Sequence, residues 1–184
     1  MEELFNETKG DMQRAIKALE RDLSKIRTGR ASVALVEEIT VEYYGSPTPL
    51  NQLASISVPD SRLIIIQPWD PSALSAIEKA ILKSNIGLTP SNDGKRICIN
   101  IPPLTEERRK ELVKLVKKIG EEAKVSIRNL RRKANDILKK MKKNKEISED
   151  DFYQGQEKIQ KITDEFIEKV EGILSKKEDE IMKF

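Results

Sequence analysis

The stretch TEERRKELVKLVKKIGEEAKVSIRNLRRKANDILKKMKKNK, residues 105–145, decides the fold. Within it Val113, Val116, Gly120, Ala123, Ile127, Leu130, Ala134, Ile137 and Met141 recur at alternating spacings of three and four. That is a heptad seam, the pattern by which one long helix buries a stripe against its neighbours. One position after each seam residue come Lys114, Lys117, Glu121, Lys124, Arg128, Arg131 and Asn135. The five cations in this series follow one flank at helical pitch and suit a phosphate backbone, although Glu121 interrupts them.

The formal net charge is +3, yet residues 105–145 hold sixteen Lys or Arg against six Asp or Glu, a net of +10. Residues 146–184 hold six against twelve, a net of −6. A phosphate responds to the field within a Debye length, about 8 to 10 Å, rather than to the whole-molecule sum. The segregation therefore implies one positive face and one negative face. The alternative is an ordinary solvated surface, which would mix the signs along a single helix.

Outward from the long helix the same reasoning holds. Phe5, Met12, Ile16, Leu19, Leu23 and Ile26 form the apolar stripe of a first helix over 2–28, with Gly29 as its stop. The long helix follows Pro102-Pro103-Leu104, with Thr105 as N-cap candidate and Glu106 and Glu107 in its first turn. Ser148 with Asp151 resembles an acidic capping box that opens a third helix, whose core candidates are Ile159, Ile162, Phe166, Val170, Ile173 and Ile181. Residues 1–30 and 105–184 thus predict a long three-helix bundle.

Residues 31–104 change character. Ile39, Val41 and Tyr43 alternate with polar neighbours, Leu63 to Ile66 form an apolar run, and Ile97, Ile99 and Ile101 alternate again, so these are strands. Leu74, Ile77 and Ile81 share a helical face within 73–84, while Ser46 to Pro49, Asp70-Pro71 and Asn92-Asp93-Gly94 read as turns. The result is an α+β fold with a small α/β domain inserted between helices 1 and 2. The chain crosses between domains near 29–31 and 101–104. Gly29, Arg30 and Ala31, with Pro102, Pro103 and Leu104, are the expected hinge; rigidly packed connections are the alternative.

Several classes lose ground. There is no histidine, which removes the usual general base and the commonest transition-metal ligand. The single cysteine, Cys98 in the strand-like ICINI, allows neither an internal disulfide nor a Cys-rich zinc site and reads as sheet packing. Glu149, Asp150 and Asp151 fall at a helix start, where acids favour the dipole. No apolar run approaches the 18 or so residues of a membrane span, and the beginning MEELFNETKG lacks a basic segment followed by an apolar one. A cytoplasmic protein is expected. No P-loop pattern is present. Tyr43 and Tyr44 are read as strand residues, one facing the core, rather than base-stacking groups, and Trp69 as a lid on the small core.

The stretches IRTGRAS (26–32), EYYGSPTPLNQLASI (42–56), NIGLTP (85–90), PPLTEERRKEL (102–112), IRNLRRKAND (127–136) and KEISEDD (145–151) together resemble the ribosome recycling factor family, in order and across the whole chain. The resemblance implies an L-shaped, monomeric protein of near-transfer-RNA dimensions, not an enzyme and without cofactor or metal. It implies binding to large-subunit ribosomal RNA on post-termination ribosomes and subunit splitting with elongation factor G and GTP. Carried over by motif, the family's RNA contacts fall on Arg109, Arg128, Arg131 and Arg132. The cationic row adds Lys117 and Lys124 as RNA-binding candidates; Arg27 and Arg30 are weaker ones. Two rival readings stand beside this, a general RNA-binding chaperone and a hydrolase using paired carboxylates.

Overall fold

The computed structural model describes residues 1–84 and 86–183; Asn85, which opens the NIGLTP stretch, lies outside them. The chain divides into two compact units, Met1–Arg27 with Glu106–Lys183, and Thr28–Thr105.

The first unit is three helices, α1 (Glu2–Ser24), α3 (Glu106–Lys143) and α4 (Glu149–Lys183); a shorter α2 (Leu74–Lys83) belongs to the second unit. On α1 the residues Leu4, Phe5, Met12, Ile16, Leu19 and Leu23 are buried, one face of a 3.6-residue period. Thr8 lies in the same face and stays satisfied because its hydroxyl donates to the Leu4 carbonyl at 2.7 Å. α1 stops at Ser24, short of the expected 28. The Ser24 hydroxyl donates to the Arg21 carbonyl at 2.6 Å, and the Ile26 N–H donates to the Leu23 carbonyl at 3.1 Å in a tight turn. Gly29, with φ +77°, bends the chain beyond the helix instead of capping it.

α3 is 38 residues long, about 57 Å at 1.5 Å per residue. Its buried residues are Leu112, Val116, Gly120, Ile127, Ala134 and Leu138, while Val113, Ala123, Leu130, Ile137 and Met141 are half-buried. The stripe is wider than the sequence seam because α3 packs on both α1 and α4, drawing Leu112 and Leu138 inward. The reciprocal cap of α4 is present: the Asp151 N–H donates to Ser148 Oγ at 3.0 Å, and the Ser148 N–H donates to Asp151 Oδ2 at 3.2 Å. Those bonds from Ser148 hold the Asp151 carboxyl below the usual range. Ile159, Ile162, Phe166, Val170 and Ile181 are buried on α4, with Ile173 only partly so.

In the second unit, β1 (Thr40–Tyr43) and β2 (Ser46–Pro49) form a hairpin, and β3 (Ala54–Asp60), β4 (Leu63–Pro68), β5 (Pro90–Asn92) and β6 (Ile97–Asn100) form an antiparallel sheet in the order β3-β4-β6-β5. Ser46–Pro49, expected as a turn, is a strand paired to β1. The actual turn is Tyr44-Gly45, at φ +48° and +76°, the primed geometry that matches the twist of a two-residue hairpin. β5 escapes the sequence reading because it is a three-residue edge strand, Pro-Ser-Asn, with no apolar alternation. β3, the other edge strand, carried a signal that reading missed: Ala54, Ile56 and Val58 alternate with Ser55 and Ser57 and face the core. Ile64 and Ile66 on β4, Ile97 and Ile99 on β6, and Ile77 and Ile81 on α2 are at or below 1% exposure and make one core with Val41 and Leu50. Each such side chain contributes about 1.5–3 kcal/mol. Cys98 points the other way, paired with Ile65, and is only half-buried.

Candidate nucleic-acid interface

The flanking cations of α3 do not form one row. In the heptad, Lys114, Glu121, Arg128 and Asn135 follow one set of seam residues, whereas Lys117, Lys124 and Arg131 follow the other set, of which Lys124 and Arg131 reach α4. Lys124 Nζ lies 3.5 Å from Glu171 Oε1 on α4 and 3.6 Å from Glu121 Oε1, with its side chain 16% exposed. Arg131 is half-buried, and its Nη1 donates to Gln160 Oε1 on α4 at 3.4 Å. One heptad further on, Leu138 is fully buried. Lys114, Lys117, Arg128 and Arg132 are exposed, and among the described residues none of the four makes an ion pair or side-chain hydrogen bond.

The expectation of five aligned free cations is corrected accordingly. Lys124 is neutralised by two carboxylates, and Glu121, the residue that interrupts the series, is one of them. Arg109 also departs from a free cation. It is half-buried, its Nη1 donates to the Met182 carbonyl in the last turn of α4 at 3.1 Å, and its Nε is buried without a partner. A guanidinium there satisfies one carbonyl left open by a helix end and favours the negative pole of the dipole. What remains is a positive surface in two parts, Lys114 with Lys117 and Arg128 with Arg132, separated by exposed Val125 and paired Glu121. Across about 27 Å from Lys114 to Arg132, cations of this kind hold phosphates by charge and, for Arg, by a planar fork.

Residues of α4 that the sequence reading missed decide which cations stay free. Glu171 and Gln160 are the α4 residues that Lys124 and Arg131 meet, one charged and one neutral. No pattern within α3 announces them, because the register between two helices far apart in sequence is a tertiary matter.

In the second unit, the stretches that lead in and out are bonded to one turn: the Ala31 N–H donates to the Ser61 carbonyl at 2.7 Å and the Ile101 N–H to the Arg62 carbonyl at 2.8 Å. Of the expected hinge residues, Ala31 is thus tied and buried, Arg30, Pro102 and Pro103 are exposed, and Leu104 is half-buried. Tyr43 Oη donates to Asp70 Oδ2 at 2.5 Å, which pushes the phenol up to about 12 and holds the carboxyl below its usual range. Tyr44 is 83% exposed. Trp69, expected as a lid, is 66% exposed, since Pro68 rather than its ring turns into the core.

Among the described residues no cluster of three or more His, Cys, Asp or Glu could hold a metal ion, and no helix is long and apolar enough to cross a membrane.

The sequence model of the family described as ribosome recycling factor matches residues 19–182. Ribosome-recycling factor of Oleidesulfovibrio alaskensis is 58% identical over 99% of both chains, and that of Syntrophus aciditrophicus 59% identical over 97% of both. A solution structure of the ribosome recycling factor matches with a TM-score of 0.76 and 46% identity, covering 100% of this chain and 97% of that one. The T. thermophilus ribosome recycling factor, described with E. coli elongation factor G on the E. coli post-termination complex, matches with a TM-score of 0.64 and 52% identity over 98% and 97%. A family model spanning most of the chain and relatives alike from end to end leave one assignment: the chain belongs to the ribosome recycling factor family of non-enzymatic translation factors.

Proposed function

We propose that this protein recycles ribosomes after termination. In this reading the α1–α3–α4 bundle binds the post-termination ribosome in the cytoplasm through large-subunit ribosomal RNA, and elongation factor G with its GTP then drives subunit dissociation. The observation that carries it is likeness over nearly the whole chain to a recycling factor described on a post-termination complex with elongation factor G. The exposed cations of α3 support the RNA contact: Arg128 and Arg132 are the primary phosphate ligands, Arg131 joins them from the α4 border, and Lys117 adds charge. Lys124 and Arg109 then serve the bundle itself. The α/β unit carries the partner's action, with 29–31 and 102–104 as the bending segments on either side of it.

The test is subunit splitting of post-termination ribosomes by the purified protein. Dissociation is expected only when elongation factor G and GTP are both present. Splitting by the protein alone, or none with both added, would refute the reading.

A further inference from the structure

We propose that Gln160 is a positioning residue for the RNA contact of α3, one that holds Arg131 without cancelling its charge; this rests on the function proposed above. Two cations on α3 lean onto α4, one heptad apart, and they meet different chemistry. Lys124 lies between Glu121 and Glu171 and is neutralised. Arg131 meets Gln160 Oε1 at 3.4 Å, a neutral acceptor.

The amide of Gln160 has a fixed orientation, because its Nε2 donates to Asp164 Oδ1, one helical turn later, at 2.8 Å. With the nitrogen turned to Asp164, the oxygen is the atom that faces Arg131. The relay Asp164–Gln160–Arg131 therefore engages one Nη of a half-buried guanidinium and leaves its remaining donors for a ligand. An arginine held this way loses less rotamer freedom when it closes on a phosphate, so affinity gains from preorganisation. A carboxylate at position 160 would do the reverse: it would pair with Arg131 as Glu171 pairs with Lys124, and it would repel Asp164.

Three variants of the full-length protein test this by equilibrium binding to post-termination ribosomes over a range of KCl concentrations. Arg131→Ala sets the reference, with weaker binding and a salt slope lower by about 0.7–0.9. Gln160→Leu keeps the charge but frees the guanidinium, so binding should weaken about 3-fold with the slope unchanged. Gln160→Glu should weaken binding at least as much, and the slope should fall, because the cation is now paired. Both effects should vanish in the Arg131→Ala background, and melting temperatures check that each variant folds.

Wild-type binding by both Gln160 variants, while Arg131→Ala is impaired, overturns the positioning role and leaves the RNA interface standing. Equal weakening by Gln160→Leu with and without Arg131 also overturns it, since the role would then be structural. Wild-type binding by Arg131→Ala overturns this proposal together with the interface at that residue.

Discussion

Gly120 lies where α3 presses on α4, and a Cβ added there would sit 2.2 Å from Leu174 Cδ1, 2.7 Å from Cδ2 and 3.0 Å from Cγ. All three fall inside an ordinary carbon contact of about 3.5–4.0 Å. Gly120→Ala thus sets two effects against each other. Ala gains about 0.8–1.0 kcal/mol over Gly in a helix interior. Overpacking costs about 1–3 kcal/mol, and here the conflict reaches Cγ, so turning the terminal methyls does not clear it. Leu174 must swing out and lose part of the roughly 1.5–3 kcal/mol that burying a leucine contributes. The net expectation is destabilisation by about 0.5–2 kcal/mol, a fall in Tm of about 2–4 °C for each kcal/mol. Leu174→Ala deletes all three clashing atoms. In that background Gly120→Ala should stabilise by roughly 0.5–1 kcal/mol, since only the helix propensity remains. Urea unfolding followed by helical circular dichroism, on the four proteins of the cycle, reads the reversal directly. The same sign in both backgrounds would refute the packing argument.

Ribosome affinity should fall with salt, and Arg128→Ala or Arg132→Ala should each lower the log–log slope by about 0.7–0.9, whereas Lys124→Ala should leave it unchanged. Glu171→Gln removes one of the two carboxylates on Lys124, so binding to ribosomes should tighten at low salt; unchanged affinity would show that Glu121 alone suffices to neutralise it. The raised Tyr43 phenol gives stability that is present below pH 10 and lost as pH rises from about 10 to 12, while the lowered Asp70 carboxyl gives stability present above its usual range near 3.8 and lost below it. Tyr43→Phe should flatten both arms of the pH–stability curve and delete the highest-pH phenol from an ultraviolet titration. Replacing residues 28–105 with a short linker should leave ribosome binding intact and abolish recycling, and recycling by that protein would contradict the division of roles.

Much of this fold is legible in the chain alone, because the signals are local or periodic. The heptad of 113–141 required a long helix with partners, and Ser148 with Asp151 fixed where α4 begins, since a capping box closes within one turn. The alternation at Ile39–Tyr43 and Ile97–Ile101 marked strands, as half-buried strands must alternate. Net charge by segment located the basic helix, because charge is additive along a chain. The motifs also carried the family.

Tertiary structure decided what periodicity cannot encode, namely which residues meet across elements. β2 and β5 are held by pairing with neighbours more than by their own composition. Leu112 and Leu138 are buried because α3 has two partners, a fact absent from its one-dimensional pattern. The candidate site shows the same limit. Lys124 and Arg131 occupy identical heptad positions, yet Glu171 neutralises the first and Gln160 leaves the second charged. That difference depends on the register of α3 against α4, set by close packing such as Gly120 against Leu174, and side-chain partners dozens of residues apart become neighbours only once the helices are packed.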